Sequence, residues 1–315
     1  MKRTTEAPAK RPSTKKKALP EELPRDVHVR ISNPDKPYWP EDGYAKLDLL
    51  RFYLEAFDRL RPYVRDRLLS LERCPDGMKG QCFFQKEKPQ GMPAGTPTQK
   101  IQHVKGVTNY VVGGALETQL ALANLGCIAV HVWGSRKQNP RKPDWICFDL
   151  DPDTGKFSDA AKAGLRVKEA LDALDLISFA KTSGGKGMHV FVPIRTGPDC
   201  DEVLEFARRL GDTLTAAYSK DLTMESRIAN RKGRVYLDPF RNGFGQTVVA
   251  PYSVRRKPRA PFSTPLAWSE VKPSLDPADF NLGNYRERLA KADPWKDFWN
   301  TRQSFAPAIR AVRKL

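Results

Sequence analysis

Two aspartates on one apparent strand are the first residues in this chain that could do chemistry. In "WICFDLDPDTG", Trp145 to Gly155, the residues Ile146, Phe148 and Leu150 alternate with Cys147, Asp149 and Asp151. Period-two alternation sends the large apolar side chains to one face and both carboxylates to the other. Like charges side by side repel, and burying them unpaired is costly, so something positive must stand opposite them. Paired carboxylates on a strand suit Mg2+ or Mn2+, because hard cations take oxygen ligands; the bland counterpart is a solvated strand end. Asp153, after Pro152 and before Thr154-Gly155, reads as a turn residue. Asp238, in "YLDPFRNGFGQT", lies in a second apolar strand and is a candidate third ligand, since two-metal sites need several carboxylates.

Other segments offer groups for phosphate. In "KTSGGKGMHV", Lys181 to Val190, glycines allow close backbone approach, Ser183 brings a hydroxyl and Lys186 a cation, and His189 opens the next strand. That combination suits a triphosphate. It is not a P-loop, because Gly187 follows the lysine where Ser or Thr is needed. "APYSVRRKPRAPFSTPL" carries Arg255, Arg256, Lys257 and Arg259 between prolines, either a phosphate grip or a solvated loop. Phe83 and Phe84, in "RCPDGMKGQCFFQK", sit among polar and basic residues, where aromatics can stack on bases.

Regular elements must hold these groups. "KLDLLRFYLEAFDRLRPYV" places Leu49, Phe52, Tyr53, Ala56, Phe57 and Leu60 at helical spacing. "LLSLERC" reads as a strand, "GMPAGTPTQK" as a loop, "ALETQLALANLG" as a helix ended by Gly126, and "CIAVHVWGS" as a strand. Then follow the strand "WICFDLDP", a helix from "SDAAKAGLRVKEALDALDL" with Ser158 as N-cap, and the strands "ISFAKTS" and "MHVFVPI" joined by "GGKG". The helix "CDEVLEFARRLGDTLTAAYS" and the strand "RVYLDPF" complete the run. The order β-α-β-β-α-β is that of a ferredoxin-like, RNA-recognition-type unit, so the fold class is α+β.

Composition narrows the partner. The chain has 315 residues, with 54 Lys and Arg against 37 Asp and Glu, a net charge of +17. That excess points to a polyanion, nucleic acid or an anionic membrane surface. No apolar run is long enough to span a membrane, and the N-terminus lacks the apolar core of a secretory signal. Five cysteines, odd in number and without a C-x-x-C pair, suggest neither a disulfide framework nor a thiolate zinc site. A reducing cytoplasm is the simplest compartment. Residues 1–25, rich in Lys, Arg, Pro and Ala, read as a disordered basic tail.

These motifs, with "NPDKPYWPEDG", "AVHVWGSR" and "RNGFGQTVVAPYSVRRKPRAPFSTPLAW", occur in an order that closely resembles the polymerase domain of the bacterial DNA ligase D family. That domain belongs to the archaeo-eukaryotic primase superfamily and acts in non-homologous end joining. The resemblance spans roughly residues 28–285. It implies a primase-like catalytic domain over 26–300, with an N-terminal α/β part at 26–140 and a metal and nucleotide core at 141–270, followed by a basic segment at 301–315. By resemblance, Asp149, Asp151 and Asp238 are catalytic ligands of two ions, Mn2+ or Mg2+. Arg73, His131, Ser183, Lys186, His189, Gln246 and Arg255 fall at positions that contact the incoming NTP or dNTP. Asn33, Lys36 and Lys46 match a pocket for a DNA 5′-phosphate across a gap, and Phe83 and Phe84 match aromatics on template bases. Ala45 departs from the pattern, which has Thr or a similar residue there. Implied partners are gapped duplex DNA, a Ku-type end-binding protein and a separate ligase, with a nucleoid-associated location. No K-x-D-G ligase motif is present, so the expectation is a stand-alone polymerase or an excised domain. Two other classes compete: a non-catalytic DNA-end-binding adaptor, and an aspartate-nucleophile phosphatase, whose D-x-D-x-T register "DLDPDT" misses by one residue.

Overall fold

The computed structural model describes residues 27–314, so the basic tail expected over 1–25 lies outside the described residues. A small hairpin of β1 (Pro37–Trp39) and β2 (Tyr44–Ala45) leads into α1 (Lys46–Val64). The apolar stripe of α1 packs on β3 (Leu69–Arg73) and β7 (Cys127–Trp133), which with β4 (Phe83–Gln85) and β13 (Thr247–Val249) form a sheet in the order β13-β7-β3-β4. Ala45 precedes the helix, and Asp48 reaches back to accept its amide hydrogen at 2.9 Å, so the missing Thr is offset from inside the first turn. Between β4 and β7 run a separate hairpin, β5 (Thr98–His103) and β6 (Gly106–Val111), and the helix α2 (Leu116–Asn124).

The second sheet holds the acids. Its strands are β8 (Trp145–Pro152), β9 (Phe179–Thr182), β10 (Met188–Pro193), β11 (Leu222–Thr223), β12 (Val235–Asp238) and β14 (Pro265–Leu266). Their spatial order is β11-β12-β8-β10-β9-β14, antiparallel except for β11 with β12. Helix α3 (Phe157–Asp172) lies between β8 and β9 in the chain, and α4 (Cys200–Ala217) and the short α5 (Ile228–Arg231) between β10 and β12. Ile146, Phe148 and Leu150 of β8 pack with Ala160, Val167 and Leu171 of α3 and with Val203, Phe206 and Leu210 of α4. The opposite face is buried at its start, where Trp145, Cys147 and Phe191 join the core of the first sheet. Only the end of β8, at Asp149 and Asp151, leaves that core for the surface.

Two local expectations change. Helix α3 begins at Phe157 with Lys156 as N-cap, so Ser158 is inside the first turn; its hydroxyl lies 3.5 Å from the Asp159 carboxylate instead of capping the helix. The residues set apart as a C-terminal basic segment return to the fold. Phe305 stacks edge-on against Phe206 with centroids 4.6 Å apart, and α7 (Ala306–Val312) buries Ala308 and Val312 beside α4, after α6 (Tyr285–Ala290). No helix among the described residues is long and apolar enough to cross a membrane.

Cysteine counting also missed a crosslink. Cys74 follows β3 and Cys82 precedes β4, and the antiparallel pairing of those strands brings their Cα atoms to 4.4 Å, where they form a disulfide. The pairing follows from the hairpin, which an odd total count does not reveal. It ties the loop that ends at Phe83 and Phe84. Cys127, Cys147 and Cys200 are free and buried. Thiol titration of unreduced, denatured protein is therefore expected to find three groups, rising to five after reduction; five before reduction would show that the crosslink does not form.

Candidate active site

One cross-strand row organises the site. Asp238 on β12 pairs directly with Asp149 on β8, Asp149 with His189 on β10, and His189 with Lys181 on β9. Directly opposed residues of antiparallel strands share a face, so four ionisable side chains project together. Asp151 lies two residues beyond Asp149 on the same face. A cleft of about 240 Å³ opens over this row, lined by Asp149, Asp151, Asp238, His189, Ser183 and Arg255, with His131 and Thr247–Val249 supplied by the first sheet.

The positive partners are arginines. Arg241 Nε lies 3.0 Å from Asp149 Oδ2 and 3.1 Å from Asp238 Oδ2, bridging the two carboxylates. Arg231 of α5, nearly buried, donates to Asp151 at 2.8 Å, and Lys186 reaches within 3.9 Å of the same carboxylate. Neither Arg231 nor Arg241 was singled out in the sequence. For Arg241 the signal was available, because it sits three residues after a candidate ligand on a tight turn. Asp153 accepts from Gly233 N at 2.8 Å, as a turn residue does, away from the row.

Burial and charge set the protonation states. Burial alone would raise Asp149, but His189, with Nε2 at 3.2 Å, and Arg241 together hold its carboxyl well below the usual range. Asp238 goes the other way, raised by burial and by the nearby Asp149 charge despite Arg241. Burial and the Lys181 charge push His189 down to about 4, and burial with Arg255 pushes His131 well below its ordinary value. Both imidazoles are therefore neutral at physiological pH. Lys181, fully buried with its ammonium nitrogen 2.5 Å from Ser263 Oγ, is lowered by burial to about 7.

The turn between β9 and β10 needs its glycines. Ser183 N donates to Gly187 O at 2.9 Å, and a Cβ at Gly187 would stand 2.4 Å from Leu150 O, so a side chain there would push the turn off the acid strand. Gly184 has φ +72°, and a Cβ on it would meet Arg255 Cγ at 2.5 Å. The same packing lets Arg255 Nη1 donate to Ser183 O at 3.1 Å. Gln246 is exposed just before Thr247 and does not line the cleft.

The remaining expected residues form other groups. Lys46 N donates to Lys36 O and Leu47 N to Pro34 O, both at 2.9 Å, which folds the segment around Asn33, Lys36 and Lys46 on itself. Lys36 pairs with Asp76, and Lys46 donates to Asn124 O at 3.0 Å. Burial and then the Lys36 charge lower the Lys46 amine. Arg73 does not line the cleft. It donates to Leu125 O at 2.8 Å and Gln85 Oε1 at 2.7 Å, with its guanidinium 5.5 Å from the Phe83 ring. Phe83 and Phe84 are 41% and 62% exposed, and the Phe84 ring meets His131 edge-on at 5.3 Å, at the rim of the acid cleft.

Carboxylate oxygens suit a hard divalent ion. Among the described residues, however, the only three metal-ligating side chains with ligand atoms all within 4.8 Å of one another are Asp199, Cys200 and Asp201, at the start of α4. There Asp199 caps the helix and both aspartates bind Arg141, so the donors are already spent. In the cleft, Arg241 takes up one oxygen of Asp149 and one of Asp238.

Residues 45–295 match the family model described as "LigD, primase-polymerase domain". The chain is 33% identical over 289 residues to the "Multifunctional non-homologous end joining protein LigD" of Pseudomonas aeruginosa, covering 90% of this chain and 34% of that protein. It is 29% identical over 286 residues to the "Bifunctional non-homologous end joining protein LigD" of Bacillus subtilis, covering 89% of this chain and 46% of that protein. It thus spans less than half the length of these relatives. In three dimensions it resembles the polymerase domain of Mycobacterium tuberculosis Ligase D, solved in complex with DNA, with a TM-score of 0.79 and 25% identity over 84% of this chain and 95% of that one. The chain belongs to the LigD primase-polymerase domain family.

Proposed function

We propose that this domain is a DNA-end-dependent nucleotidyltransferase that fills gaps and extends 3′ ends in non-homologous end joining, using NTPs or dNTPs with two divalent ions, Mn2+ or Mg2+. The observation that carries this reading is the meeting of Asp149, Asp151 and Asp238 in one cleft with Ser183 and Arg255. The net charge of +17 and the likeness to a polymerase domain solved with DNA support DNA as the partner. Within this reading the order β12-β8-β10-β9 supports an RNA-recognition-type core.

The donor set fits hard cations, and Asp149 stays ionised across physiological pH. When bound, the ions lower the pKa of a primer 3′-hydroxyl and offset charge on the departing pyrophosphate. The protein's own groups do the rest. Ser183 and Arg255, at one flank of the row, offer a hydroxyl and a cation to the triphosphate, and Lys186 swings from Asp151 to the same phosphates. Neutral His131 and His189 give directed hydrogen bonds near the sugar without adding charge. Gln246 and Arg73 serve at the edge of this nucleotide site. Lys36 and Lys46, with Asn33, bind the 5′-phosphate beyond a gap, Lys36 exchanging Asp76 for phosphate. Phe83 and Phe84 stack on template bases. A Ku-type protein and a separate ligase act on the same ends, in the nucleoid.

On a 5′-phosphorylated gapped duplex with Mn2+, wild-type protein is expected to add nucleotides, and Asp149→Ala to lose at least about a hundredfold in rate, a loss of several kcal/mol of charge stabilisation. Full activity in that variant would remove the metal assignment. Lys36→Ala is expected to weaken binding to phosphorylated gapped DNA by roughly tenfold, the scale of a charge-assisted contact, and to leave unphosphorylated gapped DNA nearly unchanged. Equal losses on both would mean a nonspecific backbone contact. Fluorescence anisotropy on the two duplexes gives the comparison.

A further inference from the structure

The Cys74–Cys82 crosslink closes a loop that touches two groups of residues assigned to DNA. Cys82 is followed at once by Phe83 and Phe84 on β4, a three-residue strand at the edge of its sheet. The loop inside the crosslink presses onto the segment that carries Lys36. Met78 N donates to Tyr38 O at 2.8 Å, and a Cβ on Gly77 would stand 2.5 Å from Pro37 O. Asp76 pairs with Lys36 at 2.5 Å, and Lys79 with Glu41 at 2.9 Å. Cys74 N donates to Gly126 O at 2.8 Å, two residues beyond the Asn124 carbonyl that takes Lys46. The shape of this loop therefore bears on the 5′-phosphate lysines at one side and the template aromatics at the other.

Without the crosslink the loop is weakly held. Its residues form turns and no strand, and Asp76 and Lys79 are exposed. Ion pairs of such side chains contribute little and weaken with salt. The covalent tie is the firmest constraint, because it removes open conformations of the loop. The two sulfurs also differ in access. Cys74 is fully buried and Cys82 half-buried, so a small thiol or disulfide in solution reaches Cys82 first. On the polymerase reading the protein works where the DNA is, in a compartment that keeps thiols reduced. Disulfides there are characteristically transient or redox-sensing, not permanent staples.

We propose that Cys74 and Cys82 form a thiol–disulfide exchange site for low-molecular-weight thiols and disulfides, and that closing it tightens the grip on a 5′-phosphorylated DNA end. To close it, the Cys82 thiolate attacks a small disulfide, forms a mixed disulfide and releases one thiolate. The Cys74 thiolate then attacks the Cys82 sulfur and releases the second. The protein thiols lose two electrons and two protons, and the small disulfide takes them up as two thiols. Opening is the reverse, with a small thiolate attacking Cys82. The inference rests on the polymerase reading for the compartment and for the role of Lys36, and adds a modification site that regulates that pocket.

The test equilibrates the full chain in glutathione buffers from reducing to oxidising. Free thiols are counted by alkylation and mass, and binding to phosphorylated and unphosphorylated gapped duplexes is followed by anisotropy. The count is expected to move between five and three across these buffers. The closed form is expected to bind the phosphorylated duplex about fivefold tighter than the open form, the cost of ordering roughly one backbone residue, with a smaller change on the unphosphorylated one. The double variant Cys74→Ser, Cys82→Ser is expected to bind like the open form in every buffer. A crosslink that stays closed in the most reducing buffer is a permanent staple and overturns the exchange site. Equal affinity of the two forms for the phosphorylated duplex, with phosphate discrimination intact, overturns the control, as does a double variant that responds to redox like wild type. A pair that opens and closes while neither form discriminates phosphate would refute the 5′-phosphate reading and leave the exchange site standing.

Discussion

Everything in this molecule that bears on chemistry depends on the register of one row across a sheet, Asp238–Asp149–His189–Lys181. A slip of one residue at any strand would turn that strand's member of the row into the apolar layer under α3 and α4. The register is held from below by Ile146, Phe148 and Leu150, buried among helix side chains, so the core that stabilises the domain is also the device that aligns its acids. Buried like charges at 17% and 9% side-chain exposure would be costly alone, and Arg241 makes the Asp149–Asp238 pair tolerable by bridging it.

The two sheets divide the work. The second contributes the acids and the glycine turn, and the first closes over them with His131 and Thr247–Val249. Strand β13 comes late in the chain yet pairs with β7, which stitches the N-terminal and central segments together around the cleft. The burial that neutralises His131 and His189 follows from this closure. The guanidinium groups that line the cleft are those of Arg231, Arg241 and Arg255.

Much of this was legible from residue order. Period-two alternation located β8, and helical spacing located α1, because each pattern reflects a single buried face. The acids could be read because two lay on one strand. What could not be read were contacts that only the fold creates. Arg231 and Asp151 are 80 residues apart in sequence, and Arg241 and Asp149 are 92 apart, and neither arginine stands out in a basic chain. The Cys74–Cys82 link depended on a hairpin that parity could not show. Ser158 lost its capping place because the helix began one residue before it. Arg73 kept its basic character but turned to Leu125 and Gln85, contacts that no local pattern announces.

The central claim is that the bridged carboxylates form a divalent-metal site and are not merely a structural ion-pair cluster. Mn2+ titration followed by electron paramagnetic resonance, in the presence of a nucleoside triphosphate, tests it most directly. Wild-type protein should remove free Mn2+ at saturable sites, and the double variant Asp149→Asn, Asp238→Asn, with its fold verified by circular dichroism, should lose them. Equal Mn2+ uptake by the two proteins would show that the arginine-bridged acids hold the structure together and no metal.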